Sequence, residues 1–203
     1  MTNALMQLDA NETSAIMSLQ EFLDYDDGTD ARYELENGRL LLMPSESEIN
    51  RRIAFFLIAY FLELGIPFYR LTDKTEVATS GMRPTVRIPD LMVLTEELAQ
   101  AMQGASRSIV MLDMPPPQLI VEVVSPGGKS EQRDYRYKRS QYQAREIAEY
   151  WIVDPIQQKV TVFSLVAGLY EEAVFTGDAA IVSPFLSELG QESKLTAAQV
   201  LQI

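Results

Sequence analysis

The sequence predicts an α/β domain in which helices flank a mixed β-sheet. Three observations carry that prediction. Strand-like apolar runs alternate with helical stretches along the 203 residues, a strand, helix, strand order spans Gln118 to Val153, and Asn37-Gly38 separates two short apolar runs. The first order gives a crossover with a parallel pair, whereas Asn-Gly gives an antiparallel hairpin, so both kinds of pairing are expected. The length suits one hydrophobic core, and a single domain over residues 18–203 is expected behind a flexible arm over residues 1–17. At 47% hydrophobic and 23% charged, the composition is that of a globular chain.

The elements follow in order. Ser18 with Glu21 three residues on is a capping-box signal for a short helix near 18–25. Tyr33-Glu34-Leu35 and Leu40-Leu41-Leu42 form the hairpin around Asn37-Gly38. Ser47 opens a long helix that ends at Leu64 before Gly65, with its aromatic residues Phe55, Phe56, Tyr60 and Phe61 expected in the core. Its apolar run from Ile53 to Leu62 is about half what a bilayer span needs and is flanked by Arg51, Arg52 and Glu63, so it reads as a buried helix and no membrane association is expected. Pro67 to Ala78 and Thr85 to Leu94 are strand-like, Glu96 to Met102 helical, Gln118 to Val124 a strand, Ser130 to Ala144 a helix and Glu149 to Val153 a strand. Trp151 within that last strand is a core residue. The acids Glu171, Glu172, Asp178, Glu188 and Glu192 read as a solvated face.

The chain has no cysteine and no histidine. Disulfides, thiol catalysis, imidazole bases and nitrogen or sulfur zinc sites are thereby excluded, and a cytoplasmic location is expected. What remains is oxygen-ligand chemistry. Two acids stand where apolar strands should have none: Glu122 inside Leu119-Ile120-Val121-Glu122-Val123-Val124, and Asp90 at the head of Leu91-Met92-Val93-Leu94. A buried carboxylate costs several kcal/mol on the order of a lost ion pair unless cations or hydrogen bonds compensate, so two of them suggest a hard divalent metal. Alternation puts Ile120, Glu122 and Val124 on one face of their strand. Each acid has a plainer reading, Glu122 as a satisfied structural carboxylate and Asp90 as part of a Pro-Asp turn.

Net charge is −12, which opposes tight binding to a polyanion. From Lys129 to Arg145, however, six basic residues face only Glu131 and Asp134, with Tyr135, Tyr137 and Tyr142 among them. That composition can contact phosphates and stack on bases, or it can be an amphipathic helix whose tyrosines pack on the sheet. Asp134 and Lys138 lie four apart on one helix face, an arrangement equally consistent with a surface salt bridge.

Taken jointly, Ile88-Pro89-Asp90-Leu91, Val121-Glu122-Val123-Val124-Ser125-Pro126, the Asp134 and Lys138 pair, and Glu149-Tyr150-Trp151-Ile152-Val153-Asp154-Pro155 resemble the large bacterial family of endonucleases with a restriction-endonuclease-like fold, within the PD-(D/E)xK nuclease superfamily. The resemblance runs from the helix at Ser18 to near the C-terminus. It implies a restriction-endonuclease-like core and metal-dependent hydrolysis of phosphodiester bonds, with DNA as the partner and a homodimer as the assembly. By the same resemblance Asp90 and Glu122 hold Mg²⁺, with Mn²⁺ as a substitute, Lys138 orients the attacking water or stabilises charge on the phosphate, and Glu34 completes the metal shell. The other reading of Glu34 is a hairpin carboxylate paired with Arg32 or Arg39. Asp134 supports Lys138 or the metal waters, and Asn50 can position a water.

Two departures stand out. The superfamily's usual lysine, two residues after the second acid, is Val124 here, so the charge comes from Lys138 on the next helix. The histidine common at the start of the long helix is absent from Ser47-Glu48-Ile49-Asn50, and Asn50 cannot act as a base near neutral pH. Besides a nuclease, the sequence therefore admits a nuclease-fold binding module without catalysis and a dimeric assembly module.

Overall fold

The computed structural model describes residues 16–125, 133–190 and 195–202, with Arg133 and Asp134 described by backbone alone. Most of the expected arm, the start of the helix expected from Ser130, the Asp134 side chain and Glu192 lie outside the described residues. Helix α1 (Leu19–Leu23) carries the capping box between Ser18 and Glu21 and buries Phe22. Strands β1 (Tyr33–Glu36) and β2 (Arg39–Leu42) form the hairpin, with Asn37 and Gly38 both at positive φ as a type I′ turn requires.

Helix α2 (Glu48–Glu63) starts from the Ser47 cap and buries Asn50, Ile53, Ala54, Leu57 and Phe61, the 3–4 spacing of one face. Phe61 is core, as expected, and Phe56 and Tyr60 are half-buried. Phe55 is a correction: it is 53% exposed, because two residues from Ile53 is about 200° around the helix.

A 3₁₀ turn at Phe68–Arg70 leads to β3 (Leu71–Thr72) and β4 (Glu76–Thr79), and then come β5 (Thr85–Arg87) and β6 (Leu91–Val93). The two stretches expected as continuous strands are thus each cut in half. One cause is Pro89, which has no N–H to give the ladder. The other is the turn at Asp73-Lys74, where Lys74 has a φ of 55°. Register survives the break: Leu71 faces Val93 and Thr72 faces Met92 in β3–β6, while Val77 faces Arg87 and Ala78 faces Val86 in β4–β5. The four strands are one antiparallel hairpin bent across two sheets, and continuing the register puts Lys74 opposite Asp90 at the bend.

The chain continues through α3 (Glu96–Ala101), β7 (Ile109–Val110) and β8 (Leu119–Val123), then a π-helical turn (Arg133–Lys138) running into α4 (Arg139–Ala144), then β9 (Glu149–Asp154). Strands β8 and β9 are parallel, as the crossover predicts. Strands β10 (Lys159–Val166) and β11 (Leu169–Thr176) then form a long hairpin not foreseen from the sequence, followed by α5 (Pro184–Glu188) and α6 (Ala197–Leu201). Of the acids expected on a solvated face, Glu171, Glu172, Asp178 and Glu188 are all exposed.

Both sheets are mixed. One has the order β2-β1-β5-β4-β7 and the other β11-β10-β9-β8-β6-β3. The central strands β6, β8 and β9 of the second are buried on both faces. On one side Leu91, Val93, Val121, Val123 and Trp151 pack against α2 and α6, and on the other Met92, Ile120, Val124 and Ile152 pack against Tyr142 of α4. Glu149, at the head of β9, is buried and accepts from the Phe185 amide at 3.0 Å, the Ser183 hydroxyl and the Trp151 indole. Among the described residues, no helix is long and apolar enough to cross a membrane.

Candidate active site

The site is built where the bent hairpin meets β8 and α4. Strand β6 pairs antiparallel with β8, Leu91 facing Val121, so one residue further Asp90 faces Glu122. The adjacency of β6 and β8 that the sequence left open is therefore present, and Lys74 and Asp90 line up at the bend just beyond the paired strands, beside Glu122 of β8. Opposed residues in such a pair lie roughly 4.5–5.5 Å apart at Cβ.

Glu122 is 3% exposed although ionisable, and its partners explain why the strand tolerates it. Oε1 accepts from the Tyr142 hydroxyl at 2.7 Å, and Oε2 lies 2.7 Å from Lys138 Nζ. Lys138 and Tyr142 are four residues apart and share the face that α4 turns to the sheet. Burial first, then the Glu122 carboxylate, pushes the Tyr142 phenol well above its ordinary range, so it stays a donor. Tyr142 thus follows the packing alternative for the interleaved tyrosines, whereas Tyr137 is exposed.

Glu34 is wholly buried. Its partner is neither Arg32 nor Arg39 but Arg87, opposite it on β5, at 2.9 Å, and its other oxygen accepts from the Ile88 amide at 3.1 Å. Arg87 also holds Glu36 at 3.0 Å and donates from Nε to Gln141 of α4 at 2.9 Å. Burial lowers the Arg87 pKa, but Glu34 and Glu36 outweigh it and raise the group overall. Lys138 Nζ stands 3.9 Å from Glu34, nearer to Glu122 than to it. One helix face therefore delivers Lys138, Gln141 and Tyr142 to charges from both sheets.

Asp90 occupies the wet side of this cluster. Oδ2 accepts the Val123 amide at 2.7 Å and Oδ1 is 3.0 Å from Lys74 Nζ, which is also 3.0 Å from Glu46. Asp90 lines an open cleft of about 460 Å³ together with Arg32, Glu46, Asn50, Lys74 and Ser125. Asn50 is a staple: Nδ2 donates to Val123 C=O at 3.1 Å and to Ser125 Oγ at 2.9 Å, while Oδ1 accepts from Ser47. It ties the start of α2 to the exit of β8. Among the described residues, no three carboxylates gather into a closed metal cage.

Two charged residues at the site were not singled out from the sequence. Arg87 left a faint signal, a charge in the apolar run Thr85-Val86-Arg87-Ile88. Lys74 left none, since it lies within the stretch Pro67 to Ala78 that reads as a strand.

A family profile described as "Putative restriction endonuclease", Uma2, matches residues 19–198. The chain belongs to the Uma2 family. Its fold is also that of a solved structure, described as a putative nuclease belonging to DUF820 from Anabaena variabilis ATCC 29413, with a TM-score of 0.67 at 16% identity over 92% of this chain and 98% of that one. The restriction-endonuclease-like core expected from the sequence is thus the fold of this Uma2 protein. No curated protein matches the chain.

Proposed function

We propose that this Uma2 protein is a divalent-metal-dependent endonuclease that hydrolyses phosphodiester bonds of DNA. The observation that carries the reading is that Asp90, at the head of β6, is tied to β8 next to Glu122 through the Val123 amide, one carboxylate at an open cleft and the other buried against a lysine. Charge supports it, since the carboxylates Glu46, Asp90 and Glu122 come together around Lys74 and Lys138, a carboxylate-rich setting of the kind a divalent cation takes.

The donor set fits Mg²⁺ or Mn²⁺: oxygen ligands only, two carboxylates, and room for water and phosphate in the cleft. Asp90 and Glu122 would hold the ion, which when bound polarises phosphate and makes water more acidic. Lys138 pairs with Glu122 in its buried position and presents a cation beside any charge that grows on a phosphate. Tyr142 fixes the second oxygen of Glu122, so the carboxylate cannot rotate away. The Arg87 bridge occupies Glu34 and so keeps it from drawing Lys138 off Glu122. In this reading Glu34 is taken up by Arg87 and leaves the lysine to Glu122, and Asn50 holds the strand exit that carries the cleft wall.

The experiment is calorimetric titration of Mg²⁺ and Mn²⁺ into wild type, Asp90→Asn and Glu122→Gln, with supercoiled-plasmid nicking on the same samples. Binding and nicking by wild type, lost in both variants, is the expected result. A wild type that neither binds metal nor nicks would sink the proposal. A binding module without catalysis is favoured by one observation, that both acids already carry lysine ammoniums, and it predicts DNA binding that survives both substitutions.

A further inference from the structure

Asp90 has two oxygens, and both are engaged: Oδ2 by the Val123 amide and Oδ1 by the Lys74 ammonium. The first bond is fixed by strand pairing. The second is made by a flexible four-carbon side chain from the bend between β3 and β4, and it is the contact that an entering cation would meet. The same ammonium reaches Glu46, on the loop before α2, at the same distance. Burial alone would lower the Lys74 pKa, but Asp90 and then Glu46 outweigh it and keep the amine charged.

The position is costly to keep. Lys74 sits at a φ of 55°, where glycine or asparagine is easier for the backbone. A residue needed only for the turn would not have to be a lysine.

We infer that Lys74 is the resident counter-cation of Asp90, holding in the metal-free protein the oxygen that a divalent ion takes, and that on metal binding its ammonium passes to Glu46 and the substrate phosphate. The inference rests on the metal-dependent reading above. Two features make the exchange physically reasonable. Glu46 is already at hydrogen-bond distance, so Lys74 leaves Asp90 without being stranded as an unpaired charge, and both residues line the cleft where a phosphate would lie. An ammonium is a compact point charge able to serve either carboxylate or phosphate.

The test is calorimetric titration of Mg²⁺ into wild type, Lys74→Met, Lys74→Gln, Lys74→Arg and Arg32→Met, with metal-free thermal melts to confirm folding. Arg32 lines the same cleft, but the cation 3.0 Å from Asp90 is Lys74. Removing the competitor should tighten Mg²⁺ binding about fivefold in the Met and Gln variants, which is RT ln 5 or about 1 kcal/mol. Lys74→Arg should stay within about twofold of wild type. Plasmid nicking at saturating Mg²⁺ should nevertheless fall in the Met variant, because the phosphate loses its lysine. Unchanged or weaker binding in both neutral variants would overturn the inference while leaving the metal site intact. Equal tightening by Arg32→Met would also overturn it, since the effect would then be that of the overall field. A wild type that binds no Mg²⁺ overturns the metal-dependent reading itself, and this inference with it.

Discussion

Arg87→Met removes the guanidinium that stands 2.9 Å from Glu34, in a place where neither side chain has any solvent exposure. An exposed ion pair is worth about 0–1 kcal/mol, but breaking a buried one costs about 3–5 kcal/mol because the remaining charge is stranded in low dielectric. Glu36, with 27% of its side chain exposed, can turn to water and adds little to the loss. At about 2–4 °C per kcal/mol for a chain of this size, the melting temperature should fall by roughly 6–20 °C. Thermal and urea melts of wild type, Arg87→Met, Glu34→Gln and the double variant read this directly. Glu34→Gln keeps an acceptor for the Ile88 amide, so the double variant exchanges the ion pair for neutral groups of similar size and should recover most of the loss. A single variant that loses less than about 1 kcal/mol, or a double variant whose loss equals the sum of the singles, would refute the claim that this pair is a buried, coupled unit.

Two further predictions concern neighbouring groups. Tyr142→Phe removes a buried hydrogen bond to an ionised carboxylate and should cost about 2 kcal/mol in urea melts, with a slower plasmid-nicking rate as Glu122 loses its restraint; an unchanged melt and rate would show that the hydroxyl does not hold Glu122. Burial raises the Glu149 pKa, only partly offset by Ser183, the Phe185 amide and Trp151, so the folded protein binds this proton more tightly than the unfolded chain. Stability from this group is therefore full below the ordinary glutamate value, falls as pH rises through the raised value and is level beyond it; urea melts across about pH 4–8 should show that slope flattened in Glu149→Gln, and an equal slope in both proteins would refute it.

What could be read from the sequence was what is local. The capping box at Ser18, the Asn37-Gly38 turn and the crossover from β8 through α4 to β9 each depend on neighbouring residues, and each is present. Glu122 stood out because its own strand contradicts it. The partners of the acids did not stand out, since Lys74 is 16 residues from Asp90 and Arg87 is 53 from Glu34, and both pairings exist only once strands from different parts of the chain align. The division of two strand-like stretches between two sheets was also hidden. Pro89 is visible in the sequence, but that the break opens a second sheet with Asp90 at its corner follows from packing. The β10–β11 hairpin escaped because an edge strand with six exposed residues of eight lacks a clean alternation.

Lys138 closes the π-helical turn at Arg133–Lys138, and α4 begins immediately after it. A π turn carries one residue more than the α turn it replaces, and such turns arise by single insertions. Losing that residue ahead of Lys138 would let the turn tighten and swing what precedes the lysine by about 100° relative to the face that Lys138 and Tyr142 share. The lysine's own aim is set by its four-residue spacing to Tyr142. A one-residue deletion in the turn would therefore leave Lys138 facing Glu122 and re-aim only the basic residues ahead of it.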